Sequence, residues 1–340
     1  MKTAWMKAAL GAAAVLLSGI TAGSTLMLNG AGSTLAYPLY SKWFADYGRS
    51  HPGIQVNYAS VGSGAGIRQL LARTVDFGAS DAPMSDEGLA RAGFPILHFP
   101  TALGAVVPFY NLPGVQAELR FTPEALAGIY LGKITWWDDP VIARANPGVR
   151  LPHQPIVVVH RSDGSGTTYC WTDYLSKVSP EWRQRIGRGT SVNWPVGLGA
   201  KGSEGVTGLV RQTPYAIGYV ELLYALQNRL GYGSVQNAAG QFIRATLTAV
   251  TAAAAAVPVP ADFRVSITQP GPRARTAYPI STYTWILVPR HIEDAQRRQA
   301  IVDLLRWCLT EGQKEAAALD YAPLPRAVAA AELKQLELLR

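Results

Sequence analysis

Residues 156–178 read IVVVHRSDGSGTTYCWTDYLSKV, and the order of residue types within this stretch decides the fold. Ile156 to Val159 is a short unbroken apolar run, as expected of a strand buried on both faces. Arg161 to Thr168 then forms a turn rich in Gly and hydroxyl residues, and Trp171, Tyr174, Leu175 and Val178 follow at helical spacing on one side. The same succession returns upstream. Ile54, Val56 and Tyr58 alternate before Gly62-Ser63-Gly64-Ala65-Gly66, and Ile67, Leu70 and Leu71 open the next helical pattern. Far downstream, Thr284 to Val288 reads as another buried strand. Strands alternating with helices specify an α/β protein. The Ala252 to Ala256 run is good helix material and is expected as a surface helix or loop.

At the N-terminus, Lys2 and Lys7 precede an apolar run from Ala8 to Ile20, which small residues follow from Thr21 to Ser24. That run is short for a membrane span and has the layout of a secretory leader, expected over residues 1–24, with an N-terminal anchor as the alternative. No Cys lies near the junction to carry a lipid. Without the leader, roughly 315 residues remain, enough for two domains with cores of their own. The formal charge of the chain is +8, and loss of Lys2 and Lys7 leaves +6. No run of Lys and Arg resembles a nucleic-acid arm, so no nucleic-acid partner is expected, and the positive balance suits a small anion. Cys170 and Cys308 are the two cysteines. Cys308 falls with Ile301, Leu304 and Leu305 at helical spacing, so two unpaired buried thiols are expected rather than a bridge.

Four segments place small hydroxyl and glycine residues just before a helix. They are Gly30-Ala31-Gly32-Ser33-Thr34-Leu35, Gly62 to Gly66, Asp76-Phe77-Gly78-Ala79-Ser80-Asp81, and Arg161 to Thr168. A helix start leaves backbone N–H groups unpaired and carries partial positive charge, which stabilises an anion. Ser and Thr add short donors, and Gly lets the backbone come close. Each segment alone reads more readily as ordinary helix capping.

Two residues add charge to this picture. Arg161 offers a planar fork of donors suited to phosphate oxygens, with Asp163 two positions on to hold it; a structural Arg–Asp turn would share that spacing. Asp81 is the more diagnostic residue if it faces the same cavity. A carboxylate beside an anion is costly unless the ligand brings a proton to donate, as phosphate does at neutral pH and sulfate does not. Standing before Pro83, Asp81 also suits a turn cap.

The four segments, in this order, resemble the phosphate-binding subunits of high-affinity ABC-type phosphate transporters, the PstS family. So do Gly128 to Ile134 leading to Trp137-Asp138-Asp139, Trp194 to Gly199, Ala216 to Glu221 and Tyr278 to Ser281, and the likeness runs from about Leu28 to Leu319-Asp320-Tyr321. The resemblance implies the two-lobed fold of type II periplasmic binding proteins, with a hinged ligand cleft. One lobe would run from Thr25 to Val107 together with Ala277 to Arg340, the other from Pro108 to Thr276. It further implies that Ser33, Thr34, Leu35, Ser63, Asp81, Arg161, Ser165, Gly166 and Thr167 hold inorganic phosphate, with Asp163 orienting Arg161. Thr34 would use its hydroxyl, Leu35 its backbone N–H, and Asp81 would accept the phosphate proton. Many family members carry Phe where this chain has Leu35, a change that alters packing and keeps the backbone donor. The implied partners are the permease and ATPase subunits of the importer, the implied compartment is the periplasm, and no cofactor or metal is implied.

An enzyme would need more than a phosphate cradle. His51, His98, His153, His160 and His291 show no compact metal-ligand spacing, and Gly164-Ser165-Gly166-Thr167 lacks the Lys of a nucleotide-binding P-loop. A Ser63 nucleophile would need a base, and among the histidines His160 alone lies beside one of the four segments. A phosphate-ester hydrolase is therefore disfavoured. Sulfate, molybdate or a phosphonate would change the ligand within the binding class; Asp81 argues against unprotonated oxyanions and leaves arsenate open.

Overall fold

The computed structural model describes residues 25–340; the leader reading over residues 1–24 lies outside the described residues. Twelve strands are found among the described residues: β1 Leu26–Gly32, β2 Ile54–Ser60, β3 Phe77–Ser80, β4 Ile96–Asn111, β5 Arg120–Phe121, β6 Val157–Arg161, β7 Leu198–Ala200, β8 Ala216–Glu221, β9 Gly231–Tyr232, β10 Ser234–Gln236, β11 Phe242–Ile243 and β12 Ser281–Pro289. Nine form one sheet in the order β2-β1-β3-β12-β4-β8-β6-β7, with β9 on β4, while β11, β10 and β5 make a small second sheet.

The large sheet has two parallel halves. β1 pairs in parallel with β2 and β3, and β6 pairs in parallel with β8 and β7. Antiparallel β4 and β12 join them. β4 pairs with β12 as far as Ala105 and with β8 from Val106 onward, so one unbroken strand belongs to both halves. The division expected after Val107 falls within this strand.

Parallel strands covered on both faces read as near-continuous apolar runs, as β6 does from Val157 to Val159, whereas β2 at the sheet edge alternates Ile54, Val56 and Tyr58 with exposed or half-buried polar residues. The helix Tyr37–Ser50 covers the first half with Leu39, Tyr40, Trp43, Phe44 and Tyr47, all buried. Burying a Leu or Phe side chain contributes about 1.5–3 kcal/mol, so this stripe alone fastens the helix to the sheet. In the second half, the helix Gly166–Val178 turns Trp171, Tyr174 and Leu175 inward, as its spacing predicts. The strand and helix patterns around Ile54, Ile67 and Thr284 are likewise found.

One element departs from its expectation. The Ala run lies in the helix Leu247–Ala255, with Ala253 and Ala254 buried against the sheet and Ala255 exposed. Side chains this small let a helix approach a sheet closely, so the run is half core and half surface. Cys170 and Cys308 are buried and unpaired. No helix among the described residues is long and apolar enough to cross a membrane.

Candidate anion-binding site

The quoted segments leave the sheet at the C-terminal ends of parallel strands: Ser33 to Leu35 after β1, Gly62 to Gly66 after β2, Asp81 after β3 and Ser162 to Thr168 after β6. Parallel α/β sheets bind ligands at these ends, because strands deliver the chain there into helix starts; the third segment departs from that expectation, since it forms β3 itself and the next helix, Asp86–Ala92, begins five residues beyond Asp81 with Ser85 as its cap. The halves meet at this level. Gly64 N–H donates to Gly164 O at 2.8 Å, and the Thr34 and Ser203 hydroxyls lie 2.8 Å apart.

Asp81 is 1% exposed and sits at the centre. Its Oδ1 accepts from Ser33 Oγ at 2.5 Å and from Thr284 Oγ1 at 2.8 Å. Oδ2 is less engaged, with Ser63 Oγ at 3.4 Å, and it faces the helix start of the other half. A Cβ on Gly166 would stand 2.7 Å from that oxygen and 2.6 Å from the Asp81 amide nitrogen, so only Gly permits this approach. Burial pushes the Asp81 pKa up to about 6, against the pull of the Ser33 and Thr284 hydroxyls, the Arg161 charge and Ser63. At neutral pH the group is therefore an ionised carboxylate with a raised appetite for a proton.

Arg161 faces it from β6. The guanidinium is almost fully buried and bidentate to Asp163, with Nε to Oδ1 at 2.7 Å and Nη2 to Oδ2 at 2.5 Å. Nη1 is left unengaged among the described residues. Burial on its own would raise the Asp163 carboxyl, but the Arg161 hydrogen bond and charge, with the Gly202 N–H, outweigh it and hold the group below the ordinary carboxylate range. The pair is thus close to neutral overall, and Asp163 fixes a guanidinium whose Nη1 edge stays free among the described residues. Behind it, the Arg161 N–H donates to Tyr219 Oη at 3.1 Å, and Thr168 Oγ1 lies 2.6 Å from the same oxygen. The Tyr219 ring is stacked between Trp171 and Trp194, with centroids 5.1 and 5.7 Å away. Gly62 closes the second loop over this pair with φ +91°, where a Cβ would also collide with Asp163 Oδ2.

The remaining groups are donors. Ser165 caps its helix by accepting from Thr168 N–H at 3.1 Å. Thr167 Oγ1 is buried with no hydrogen-bond partner among the described residues, and a buried hydroxyl left so calls for an acceptor. Among the described residues, the amide N–H groups of Thr34, Leu35, Gly166 and Thr167 find no acceptor within the protein either. Leu35 turns its side chain into the core beside Gly104, while its carbonyl accepts from Tyr321 Oη at 2.5 Å. Its contribution to the cavity is confined to the backbone, as its residue type requires.

All nine residues singled out from the sequence, with Asp163, thus lie in one buried cluster built from both halves. Sequence reasoning missed Thr284, Tyr219 and Ser203. Ser203 had a readable signal: Lys201-Gly202-Ser203-Glu204 opens the helix Gly202–Gln212 with the same Gly-hydroxyl chemistry as the quoted segments. Thr284 sits inside an apolar strand and carried none.

The chain has counterparts among known proteins. Residues 19–310 match the family model of the PBP superfamily domain. The phosphate-binding protein PstS of Xylella fastidiosa strain Temecula1 is 47% identical over 304 residues, covering 88% of this chain and 82% of the relative. That of Pasteurella multocida is 45% identical over 302 residues, covering 88% and 87%. Among solved structures, a high affinity periplasmic phosphate-binding protein bound with phosphate superposes with a TM-score of 0.73 at 24% identity, covering 90% of this chain and 93% of that one. The phosphate-binding protein from Stenotrophomonas maltophilia gives 0.70 at 18%, covering 91% and 93%. At these identities the structures speak for the two-lobed fold alone, while the curated relatives speak for descent. The chain belongs to the PstS family of phosphate-binding proteins, within the PBP superfamily.

Proposed function

We propose that this chain is an extracytoplasmic solute-binding protein that captures inorganic phosphate in the cleft between two lobes and delivers it to the permease and ATPase subunits of an ABC-type phosphate importer. The observation that carries the reading is Asp81, a buried carboxylate whose Oδ2 is only weakly engaged and lies against the helix start at Gly166, among unpaired amides and hydroxyls. Such a group repels an anion that has no proton and accepts a hydrogen bond from one that does.

In this reading the amides of Thr34, Leu35, Gly166 and Thr167, the hydroxyls of Thr34, Ser63 and Thr167, and the Arg161 guanidinium donate to the phosphate oxygens. Ser33 and Ser165 shape the two loops by bonding Asp81 and capping the helix, and Asp81 takes the proton. The lobes run from Thr25 to Val107 with Ala277 to Arg340, and from Pro108 to Thr276. The partner change within β4 and the start of β12 support a hinge there, since few connections cross at that line. Residues 1–24 serve as the secretory leader and the working compartment is the periplasm; a structural neighbour described as periplasmic supports this. Binding without turnover is the activity, supported by relatives that are themselves named for binding.

Equilibrium dialysis of phosphate-stripped protein against radiolabelled phosphate, with arsenate and sulfate as competitors, tests the proposal. Saturable phosphate retention displaced by arsenate and untouched by sulfate is the expected result. Displacement by sulfate at equal concentration would overturn the assigned specificity.

A further inference from the structure

The helix Gly202–Gln212 begins without a side-chain cap of its own: Lys201 stands at the N-cap position and makes no capping hydrogen bond. Its first N–H groups are satisfied from elsewhere. Gly202 N–H donates to Asp163 Oδ1 at 3.0 Å, and Ser203 N–H donates across the cleft to Thr34 Oγ1 at 3.2 Å. The Ser203 hydroxyl lies 2.8 Å from the same Thr34 oxygen and has no other hydrogen-bond partner among the described residues, and both residues are buried.

A hydroxyl has one hydrogen and two lone pairs. Thr34 Oγ1 spends one lone pair on the Ser203 N–H. If Thr34 gave its hydrogen to Ser203 Oγ, the Ser203 hydrogen would be stranded in a 1% exposed position with no acceptor. Either arrangement leaves one buried hydrogen without an acceptor among the described residues, and of the two it is Thr34 that stands on the loop whose amides, Thr34 and Leu35, are also unpaired. If Ser203 instead donates, both Thr34 lone pairs are occupied and the Thr34 hydrogen is free. That hydrogen has no acceptor among the described residues, which leaves it for the anion that the site is read to hold.

We infer that Ser203 is a positioning residue that fixes the Thr34 hydroxyl as a donor to the bound anion, and that it ties the two halves of the cleft together in doing so. This rests on the phosphate-binding reading. It also gives the uncapped helix start a role: its two leading residues orient the two groups, Asp163 with Arg161 and Thr34, that meet the ligand from opposite halves.

The test is a double-mutant cycle read by phosphate affinity and dissociation rate, with ligand-free melting curves for each protein. Ser203→Ala is expected to weaken phosphate binding about fivefold, the effect of one lost hydrogen bond, and chiefly by faster dissociation. Thr34→Val is expected to weaken it at least as much. In the Thr34→Val background, Ser203→Ala should change phosphate affinity less than twofold, because the group it positions is gone. Equal losses from Ser203→Ala in both backgrounds would overturn the inference in favour of a general structural role, as would wild-type affinity in Ser203→Ala. Absence of phosphate binding by the wild-type protein would reject the functional reading and the inference with it.

Discussion

Replacing Asp81 by Asn should make the ligand-free protein more stable while spoiling its selectivity. The folded-state pKa of Asp81 is raised from 3.8 to about 6 by burial. A carboxyl whose folded pKa lies above its unfolded value favours the folded state when protonated, and that advantage is lost as pH rises from about 4 through about 6. At pH 7.5 the ionised group therefore costs the fold about two pKa units, or about 3 kcal/mol. Asn is neutral at every pH and keeps an oxygen to accept from Ser33 and Thr284. The expected gain in Asp81→Asn at pH 7.5 is on the order of 3 kcal/mol, which for a chain of this size is roughly 5 °C in Tm. At pH 5 wild-type Asp81 is mostly protonated, and by linkage only about half of the difference should remain. Scanning calorimetry of phosphate-stripped wild-type and variant proteins at the two pH values reads this directly. An Asp81→Asn protein that is no more stable at pH 7.5, or whose gain does not shrink at pH 5, would refute the claim that burial holds a costly charge at the centre of the site.

Other consequences follow from the same geometry. Arg161→Ala should weaken phosphate binding by about 2–5 kcal/mol in calorimetric titration, because it removes the buried guanidinium and leaves Asp163 unpaired. Gly166→Ala should abolish tight binding with little effect on the ligand-free melting temperature, since the added Cβ would stand 2.6 Å from the Asp81 amide only when the halves are together; dialysis and calorimetry check the two arms. Lowering the pH through 6 should admit sulfate to the wild-type site as Asp81 takes up a proton and turns from acceptor to donor, a change that sulfate titrations at pH 7.5 and 5 would show as affinity appearing at the lower value.

Much of this architecture was legible because its signals are local. A strand buried on both faces, a Gly and hydroxyl turn and an amphipathic helix follow one another within about twenty residues, and the start of a helix advertises its own anion-binding chemistry. The residues that escaped notice act through partners far away in the chain. Thr284 reaches Asp81 across 203 positions with nothing beside it to announce the contact, and Ser203 reaches Thr34 across 169, so its Gly-hydroxyl helix start marks the chemistry but not the partner. Tyr219 looked like one aromatic among many in an apolar strand, and only the fold sets its hydroxyl under the Arg161 amide. The passage of β4 through both halves was hidden for another reason: the pairing partner of a strand is a property of its neighbours, so sixteen consecutive residues carry no mark where it changes.

The central claim is that a buried, ionised Asp81 lets this site accept an anion that carries a proton and reject one that does not. Calorimetric titration of the phosphate-stripped wild-type protein with phosphate and with sulfate, both at pH 7.5, tests it most directly. One-to-one phosphate binding with no sulfate heat is the predicted result. Well-folded protein that takes neither anion, or that takes both with similar affinity, would contradict the account.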